Sequence, residues 1–215
     1  MSKKVCKVLV LISGTGSNLQ AILNQQQTGE LAIEIVGVIS NRPNVGGLTI
    51  AVKANIPTLV VDHTKFQSRQ DYDDKLAVEI DKFDADLIVL AGYMRIMSSS
   101  LVQKFLGKMI NIHPSLLPKY PGLNTHQKAL DNGDKYHGSS VHFVTEVLDG
   151  GPVIAQSKVS IEADDNKDSL AAKVKKVEHR LYPKVISWYA SGRLEFRDNK
   201  THLDGDLQTN AKLVE

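Results

Sequence analysis

The feature that most constrains the fold is the segment 5–18, where an apolar run passes directly into a glycine turn and then a helix. Residues 5–12 read V-C-K-V-L-V-L-I, which is nearly all apolar. Such a run predicts a strand covered on both faces, as in a parallel sheet with helices on each side. G-T-G-S-N follows at 14–18, and Leu19, Ile22 and Leu23 then recur at helical spacing. We therefore expect an α/β domain that begins with a strand, a turn and a helix.

The same turn predicts an anion site. The free backbone N–H groups of the turn would lie at the positive end of the helix, with Ser17 or Asn18 as the capping residue. Leu19 stands where a dinucleotide fingerprint has its third glycine, and no G-K-[ST] follows as in a P-loop. The turn therefore suits a monophosphate, and the alternative is a plain connection between strand and helix.

The rest of the chain continues the alternation of strands and helices. Helices are expected at 46–55, 68–82, 98–105, 124–131 and 168–188. Strands are expected at 33–40, 58–61, 86–91, 109–113, 138–145 and 153–161, the last two as an antiparallel hairpin. This order predicts a doubly wound, mostly parallel α/β sheet with antiparallel strands added near the C-terminal half. We expect one catalytic domain over 1–190, and an edge strand with a polar, loosely packed tail over 191–215.

Composition limits the partners. The 215 residues carry 26 basic and 24 acidic side chains, a formal net charge of +2, which gives no electrostatic case for nucleic acid. The one cysteine, Cys6, excludes an internal disulfide. The apolar run at 8–12 is too short for a signal peptide or a membrane span. We expect a cytoplasmic protein that acts on small molecules, as a monomer or a weak homodimer.

The stretch 109–113, M-I-N-I-H, is the candidate for chemistry. Asn111 and His113 alternate along an apolar strand, so both side chains point to one face. Pro114 forces His113 out of helical geometry, so the strand ends there. In an open parallel sheet the carboxyl ends of the strands are where ligands bind. The alternative is a strand end with two satisfied polar residues.

Asp149 completes a possible constellation. It lies in the glycine-rich turn L-D-G-G-P, which leaves its carboxylate free to turn inward. A carboxylate beside His113 would raise the pKa of the imidazole. Protonated His113 and the Asn111 amide would then donate to a developing oxyanion, as acyl transfer requires. No nucleophile is evident, because Ser115 lies in a proline turn and Cys6 at the start of the first strand, so direct attack by a substrate amine fits better.

Other polar residues leave alternatives open. His113, His126, His137 and His142 fall within thirty residues, but their irregular spacing disfavours a metal. His63 and His202 are interpreted as surface residues, and His179 as either a site residue or helix surface. Arg69 opens a predicted helix, where it would reach a ligand or only solvent. The segment Met94–Met97 would line an apolar slot for a flat ligand or fill the core.

Six motifs together resemble those of the folate-dependent formyltransferases that act on phosphoribosylglycinamide. They are L-I-S-G-T-G-S-N-L-Q at 11–20, A-G-Y-M-R-I-M at 91–97, I-N-I-H-P-S-L-L-P-K-Y-P-G-L at 110–123, H-G-S-S-V-H-F-V-T at 137–145, L-D-G-G-P-V-I at 148–154 and V-E-H-R-L-Y-P-K-V-I at 177–186. The resemblance therefore spans almost the whole chain. It is specific, since N-x-H with a distal Asp marks the wider family.

The resemblance implies transfer of a formyl group from 10-formyltetrahydrofolate, as cosubstrate, to the amine of glycinamide ribonucleotide in purine biosynthesis, with no metal. His113 would be the general acid, Asn111 would hold the formyl oxygen, and Asp149 would raise the His113 pKa and move protons through water. The ribonucleotide would be bound by residues of the glycine turn and the long helix, namely Gly16, Ser17, Asn18, Lys175, Lys176, Val177 and Glu178. The formyl folate would be bound by two loops and neighbouring side chains, namely Arg69, Met94, Arg95, Ile96, Met97, Asn111, Thr145, Glu146, Val147, Leu148 and Asp149.

Two other classes of function remain. The first is another member of the same superfamily. Methionyl-tRNA formyltransferase would carry a basic C-terminal domain, and formyltetrahydrofolate deformylase would carry an N-terminal regulatory domain and hydrolyse the formyl donor. A non-catalytic mononucleotide-binding module on the same fold is the other alternative.

Overall fold

The computed structural model describes residues 5–214, and its backbone contacts divide the chain into two units at the bond between Ile110 and Asn111. The first unit alternates strands and helices. Its strands are β1 (Cys6–Ile12), β2 (Ile33–Ser40), β3 (Thr58–Val60) and β4 (Leu87–Leu90), and its helices are α1 (Ser17–Gln27), α2 (Gly46–Lys53), α3 (Arg69–Asp81) and α4 (Ser99–Lys104). Each of these elements was predicted from the sequence, with ends that differ by a few residues.

The strands of the first unit are parallel and lie in the order β3-β2-β1-β4. Val8 to Ile12 are fully buried, as an apolar strand covered on both faces requires. The order reverses between β1 and β4, and ligands of doubly wound sheets bind at such a switch point. Beyond the ends of these two strands, the Met94 N–H donates to the Ser13 hydroxyl at 2.8 Å, so the loops that follow β1 and β4 are joined.

The second unit adds antiparallel pairing. Strand β5 (Met109–His113) leads into it, and α5 (Thr125–Asp131), β6 (Tyr136–Phe143), β7 (Val153–Ser160) and α6 (Lys167–Ala190) follow. Strands β6 and β7 pair antiparallel. These observations confirm the predicted fold class, a mostly parallel α/β sheet with antiparallel strands in the C-terminal half.

The prediction of a loosely packed tail was wrong. Strands β8 (Leu194–Arg197), β9 (Lys200–Leu203) and β10 (Asp206–Leu207) form a separate antiparallel sheet, and β11 (Lys212–Leu213) pairs parallel with β7. Thr201, His202 and Leu203 are buried. The interpretation of His202 as a surface residue was therefore wrong. The polar composition hid a short hairpin in which three consecutive residues of β9 are buried. The predicted domain boundary at residue 190 stays a prediction.

None of the helices among residues 5–214 is long and apolar enough to cross a membrane.

The turn after β1 depends on a glycine with no room for a side chain. Gly16 has φ +80°, and a Cβ there would lie 2.5 Å from the Cα of Gly47. Gly16→Ala is therefore expected to lower the free energy of unfolding by about 3 kcal/mol or more, measured by urea denaturation. Gly29→Ala is the matched control, because Gly29 has φ +79° but open space around it. It should cost only about 1–2 kcal/mol, and equal losses in the two variants would contradict the packing argument.

Candidate active site

Strand β5 presents Asn111 and His113 near its end, as the alternation predicts. His113 is buried and Asn111 half-buried. The Nε2 atom of His113 lies 2.8 Å from the carbonyl oxygen of Tyr120, in the loop that follows β5. A carbonyl only accepts hydrogen bonds, so this contact places a proton on Nε2.

Asp149 lies beside His113, although the two are far apart in sequence. Its Oδ2 atom is 3.4 Å from His113 Nδ1 and accepts a 2.8 Å hydrogen bond from the Gly122 N–H. Asp149 has φ +50°, a left-handed conformation that a glycine-rich turn accommodates. The structure thus brings together the three side chains that the sequence singled out for chemistry.

Asp149 raises the His113 pKa, as expected, but the net pKa of His113 in the free protein is lowered. Burial lowers the pKa of His113 below its ordinary value of 6.5, and it outweighs the Tyr120 carbonyl and the Asp149 carboxylate, which both raise it. The pKa of Asp149 is lowered despite its burial, because His142, the Gly122 N–H and His113 stabilise the carboxylate. The centre therefore holds an ionised Asp149 beside an imidazole that prefers to be neutral.

His142 is a member of this cluster that sequence reasoning missed. Its Nδ1 atom lies 2.9 Å from the Phe143 carbonyl, so that nitrogen carries the proton. Its Nε2 atom lies 3.2 Å from the Asn111 amide nitrogen and 3.7 Å from Asp149 Oδ1. His142 therefore contacts both Asn111 and Asp149. The sequence signal for this contact was the place of His142 on the predicted strand 138–145.

Two other histidines, His126 and His137, contact each other, and His63 contacts the backbone. His126 Nδ1 lies 3.0 Å from His137 Nε2, and burial lowers the pKa of His137 to about 4. His63 is half-buried and contacts the Asn41 carbonyl at 2.8 Å, so it is not the surface residue expected. Within residues 5–214, no group of three His, Cys, Asp or Glu side chains is arranged to hold a metal ion.

The glycine turn has the geometry of an anion site, with one correction. Helix α1 begins at Ser17, and Gly16, in the left-handed conformation, is its N-cap. The prediction that Ser17 or Asn18 caps the helix was therefore wrong, and no side-chain hydrogen bond caps α1. The N–H groups of a first helical turn have no acceptor within the helix, so this end can receive an anion.

The predicted ribonucleotide residues of α6 have different environments. Glu178 is buried, and its Oε1 atom is 3.2 Å from the Ser139 hydroxyl, which also lies 2.9 Å from the His113 carbonyl. Glu178 is thus joined to the active-site strand through one hydroxyl. Lys175 and Lys176 are exposed, whereas Val177 is buried in the core.

The predicted folate residues include exposed apolar side chains in each unit. In the first unit, Met94 and Ile96 are 67% and 49% exposed. In the second unit, Val147 and Leu148 are 67% and 49% exposed. Apolar side chains left open to solvent at these levels suit a flat, partly apolar ligand.

The two arginines predicted for the folate differ. Arg69 is the first residue of α3 and is exposed, and the hydroxyl of Ser68 caps that helix. The Arg95 guanidinium instead lies 4.6 Å from the centre of the Tyr72 ring. Met97 and Thr145 are half-buried, and Glu146 is exposed.

Comparisons with known proteins show the family of the chain. The family model described as formyl transferase matches residues 6–186. Phosphoribosylglycinamide formyltransferase of Escherichia coli (strain K12) is 51% identical over 198 residues, covering 92% of this chain and 93% of that protein. The trifunctional purine biosynthetic protein adenosine-3 of Homo sapiens is 42% identical over 197 residues, which cover 92% of this chain and 20% of that protein.

A solved structure extends the likeness to the fold. The phosphoribosylglycinamide formyltransferase of Coxiella burnetii, in complex with CHES, has a TM-score of 0.94 and 48% identity, covering 99% of this chain and 100% of that one. With the family model matched over most of its length and relatives at this identity, the chain belongs to the formyl transferase family.

Proposed function

We propose that this formyl transferase moves the formyl group of 10-formyltetrahydrofolate directly to the amine of glycinamide ribonucleotide, a step of purine biosynthesis. The observation that carries the proposal is the cluster of Asn111, His113 and Asp149, with His113 Nδ1 3.4 Å from a carboxylate oxygen. Asn111 and protonated His113 can donate hydrogen bonds, and Asp149 can accept a proton. The three side chains include no hydroxyl or thiol that could act as a nucleophile.

The reaction needs an oxyanion partner and a path for one proton. The amine nitrogen attacks the formyl carbon, the new C–N bond forms, and the carbonyl electrons move onto oxygen. The amine then loses a proton, N10 of the folate gains one, and the C–N10 bond breaks as the carbonyl re-forms. Asn111 and protonated His113 stabilise the oxyanion, and Asp149 moves the proton through water.

Proton uptake by His113 is coupled to this charge. Burial favours the neutral ring in the free protein, but a developing oxyanion favours the imidazolium. With Nε2 held by the Tyr120 carbonyl, Nδ1 is the ring atom that takes up and releases the proton. Asp149 is ionised and lies next to Nδ1, so its carboxylate either accepts that proton or stabilises the imidazolium that carries it.

Direct attack is supported by the state of the hydroxyl and thiol groups considered as nucleophiles. Ser115 is fully buried, and its hydroxyl donates to the Lys119 carbonyl at 2.6 Å. Cys6 is buried at the amino end of β1.

Binding of the two substrates is proposed as follows. The turn at Gly16, Ser17 and Asn18 binds the phosphate of the ribonucleotide, and Glu178 binds its amine end. The neighbouring residues of α6 that also bind the ribonucleotide are Lys175, Lys176 and Val177. The folate lies against Arg69, the 94–97 loop and the 145–149 turn. We further propose a cytoplasmic location and a monomer or weak homodimer.

Asp149→Asn is expected to lower kcat/KM for formyl transfer at pH 7.5 by about 10²–10³-fold. The carboxylate raises the His113 pKa, so its loss lowers that pKa further. The protonated fraction of His113 falls at any given pH, and the decline of activity with rising pH moves to lower pH. A pH–rate profile from pH 5 to 9 measures both effects. Asp206→Asn, an exposed carboxylate in β10, should leave the profile unchanged, and an unshifted profile in Asp149→Asn would contradict the role.

A further inference from the structure

The loop after β5 contacts both members of the His113–Asp149 pair through its backbone. The Tyr120 carbonyl accepts from His113 Nε2 at 2.8 Å. Two residues later, the Gly122 N–H donates to Asp149 Oδ2 at 2.8 Å. The backbone at 120–122 therefore sets the proton position on the imidazole and the direction of the carboxylate.

Tyr120 adopts a conformation that its own backbone does not favour. It has φ +57°, in the left-handed region, which costs a non-glycine residue about 1–2 kcal/mol. Something must therefore hold the residue in place, and a loop with glycine at this position would need no such support.

The side chain of Tyr120 supplies that support. Its hydroxyl donates to Asp134 Oδ2 at 2.9 Å and accepts from the Asn132 amide at 2.9 Å. Asp134 is also paired with the Lys119 ammonium at 2.9 Å. Lys119 and then Tyr120 lower the Asp134 pKa, so the carboxylate is ionised when it accepts the phenol.

We propose that Tyr120 and Asp134 are positioning residues that, through the Tyr120 carbonyl, keep the His113 proton on Nε2 and so reserve Nδ1 for proton exchange. The inference rests on the proposed function for the importance of Nδ1. The position of the proton itself is measurable without any assay of activity.

The charged and titratable groups around His113 come from several elements. They are Asp149 in the turn after β6, His142 and His137 on β6, and Lys128 and His126 on α5. Asp149 and the Tyr120 carbonyl raise the His113 pKa, whereas His142 and Lys128 lower it. Removing the hydrogen bonds of the Tyr120 hydroxyl should therefore weaken the contact between the Tyr120 carbonyl and His113. That contact is one of the two interactions that raise the His113 pKa.

The test is ¹⁵N NMR of histidine-labelled protein, with His113→Gln used to assign the His113 signals. In the parent protein we expect the Nε2–H form of neutral His113. In Tyr120→Phe and Asp134→Ala we expect a mixture of the two tautomers and a lower His113 pKa. The kcat at pH 7.5 should fall about 5–10-fold, the size of one hydrogen bond, with KM for both substrates within about twofold.

Two further variants separate positioning from general stability. Asp134→Asn retains an oxygen that accepts the phenol, so it should preserve the tautomer while losing the charge pair with Lys119. Tyr136→Phe removes a phenol from a half-exposed tyrosine of β6 and should change nothing. An unchanged His113 tautomer in both Tyr120→Phe and Asp134→Ala would overturn the proposal, whatever their activity. Loss of activity in those variants with the Nε2–H form intact would indicate a structural role only.

The proposed function fails by a different result. If His113→Ala retained activity, the role of Nδ1 would be wrong even though the tautomer shift in Tyr120→Phe had been observed.

Discussion

Replacing His113 with alanine is expected to lower kcat for formyl transfer by about 10²–10⁴-fold, with much smaller changes in the KM values of the two substrates. The imidazole would be both an oxyanion donor and the carrier of the transferred proton, and it acts mainly in the transition state. Loss of such an interaction reduces kcat rather than binding. The measurement is steady-state kinetics with both substrates varied.

The control for this variant is another buried histidine of the same unit. His202 lies in β9 of the small antiparallel sheet. His202→Gln should keep near-parental kcat even if its melting temperature falls. A His113→Ala enzyme that transfers formyl groups at nearly the parental rate would show that His113 is not the acid.

Ser17→Asp is expected to raise KM for glycinamide ribonucleotide by about 30-fold or more while making the protein slightly more stable. Ser17 is the first residue of α1, and the first turn of that helix holds no acidic residue. A carboxylate at this end favours the helix by about 0.3–1 kcal/mol, yet it would repel a bound phosphate. In this one variant, binding of the ribonucleotide should therefore weaken while the melting temperature of the protein rises.

The contrast with Ser17→Ala isolates the charge. If backbone N–H groups bind the phosphate, the alanine variant should lose only the hydroxyl, at most about 10-fold in KM. An unaltered KM in Ser17→Asp would mean that the phosphate binds elsewhere. In that case the turn after β1 would be only a connection between strand and helix.

Much of the fold was readable because its signals are local. The apolar run of β1, the glycines after it and the alternation of Asn111 and His113 each depend on neighbours in sequence. Asp149 could be singled out from its glycine-rich turn, and the structure brings it beside His113. Resemblance to formyltransferases supplied the roles of these residues, which residue patterns alone left open.

What the sequence could not reveal depends mainly on contacts between residues that are distant in sequence. The net direction of the His113 pKa depends on how far burial outweighs one carboxylate and one carbonyl. The part played by His142 depends on its packing against Asn111, and that of Tyr120 on a carbonyl that no sequence pattern marks. The predicted edge strand is present as β8, but the strands after it were missed because few of their residues are apolar. The cap of α1 was misplaced because Gly16, which has no side chain to cap with, is the N-cap.

The central claim is that the formyl group passes directly from the folate to the ribonucleotide amine. Purified protein should be incubated with 10-formyltetrahydrofolate carrying a ¹³C label in its formyl group, with and without glycinamide ribonucleotide, and followed by NMR. We predict that the label appears in the formylated ribonucleotide, in equal amount to the tetrahydrofolate released, and that the donor persists when the ribonucleotide is absent. Labelled formate released at the same rate in both incubations, with no formylated ribonucleotide, would contradict the claim and indicate a hydrolase.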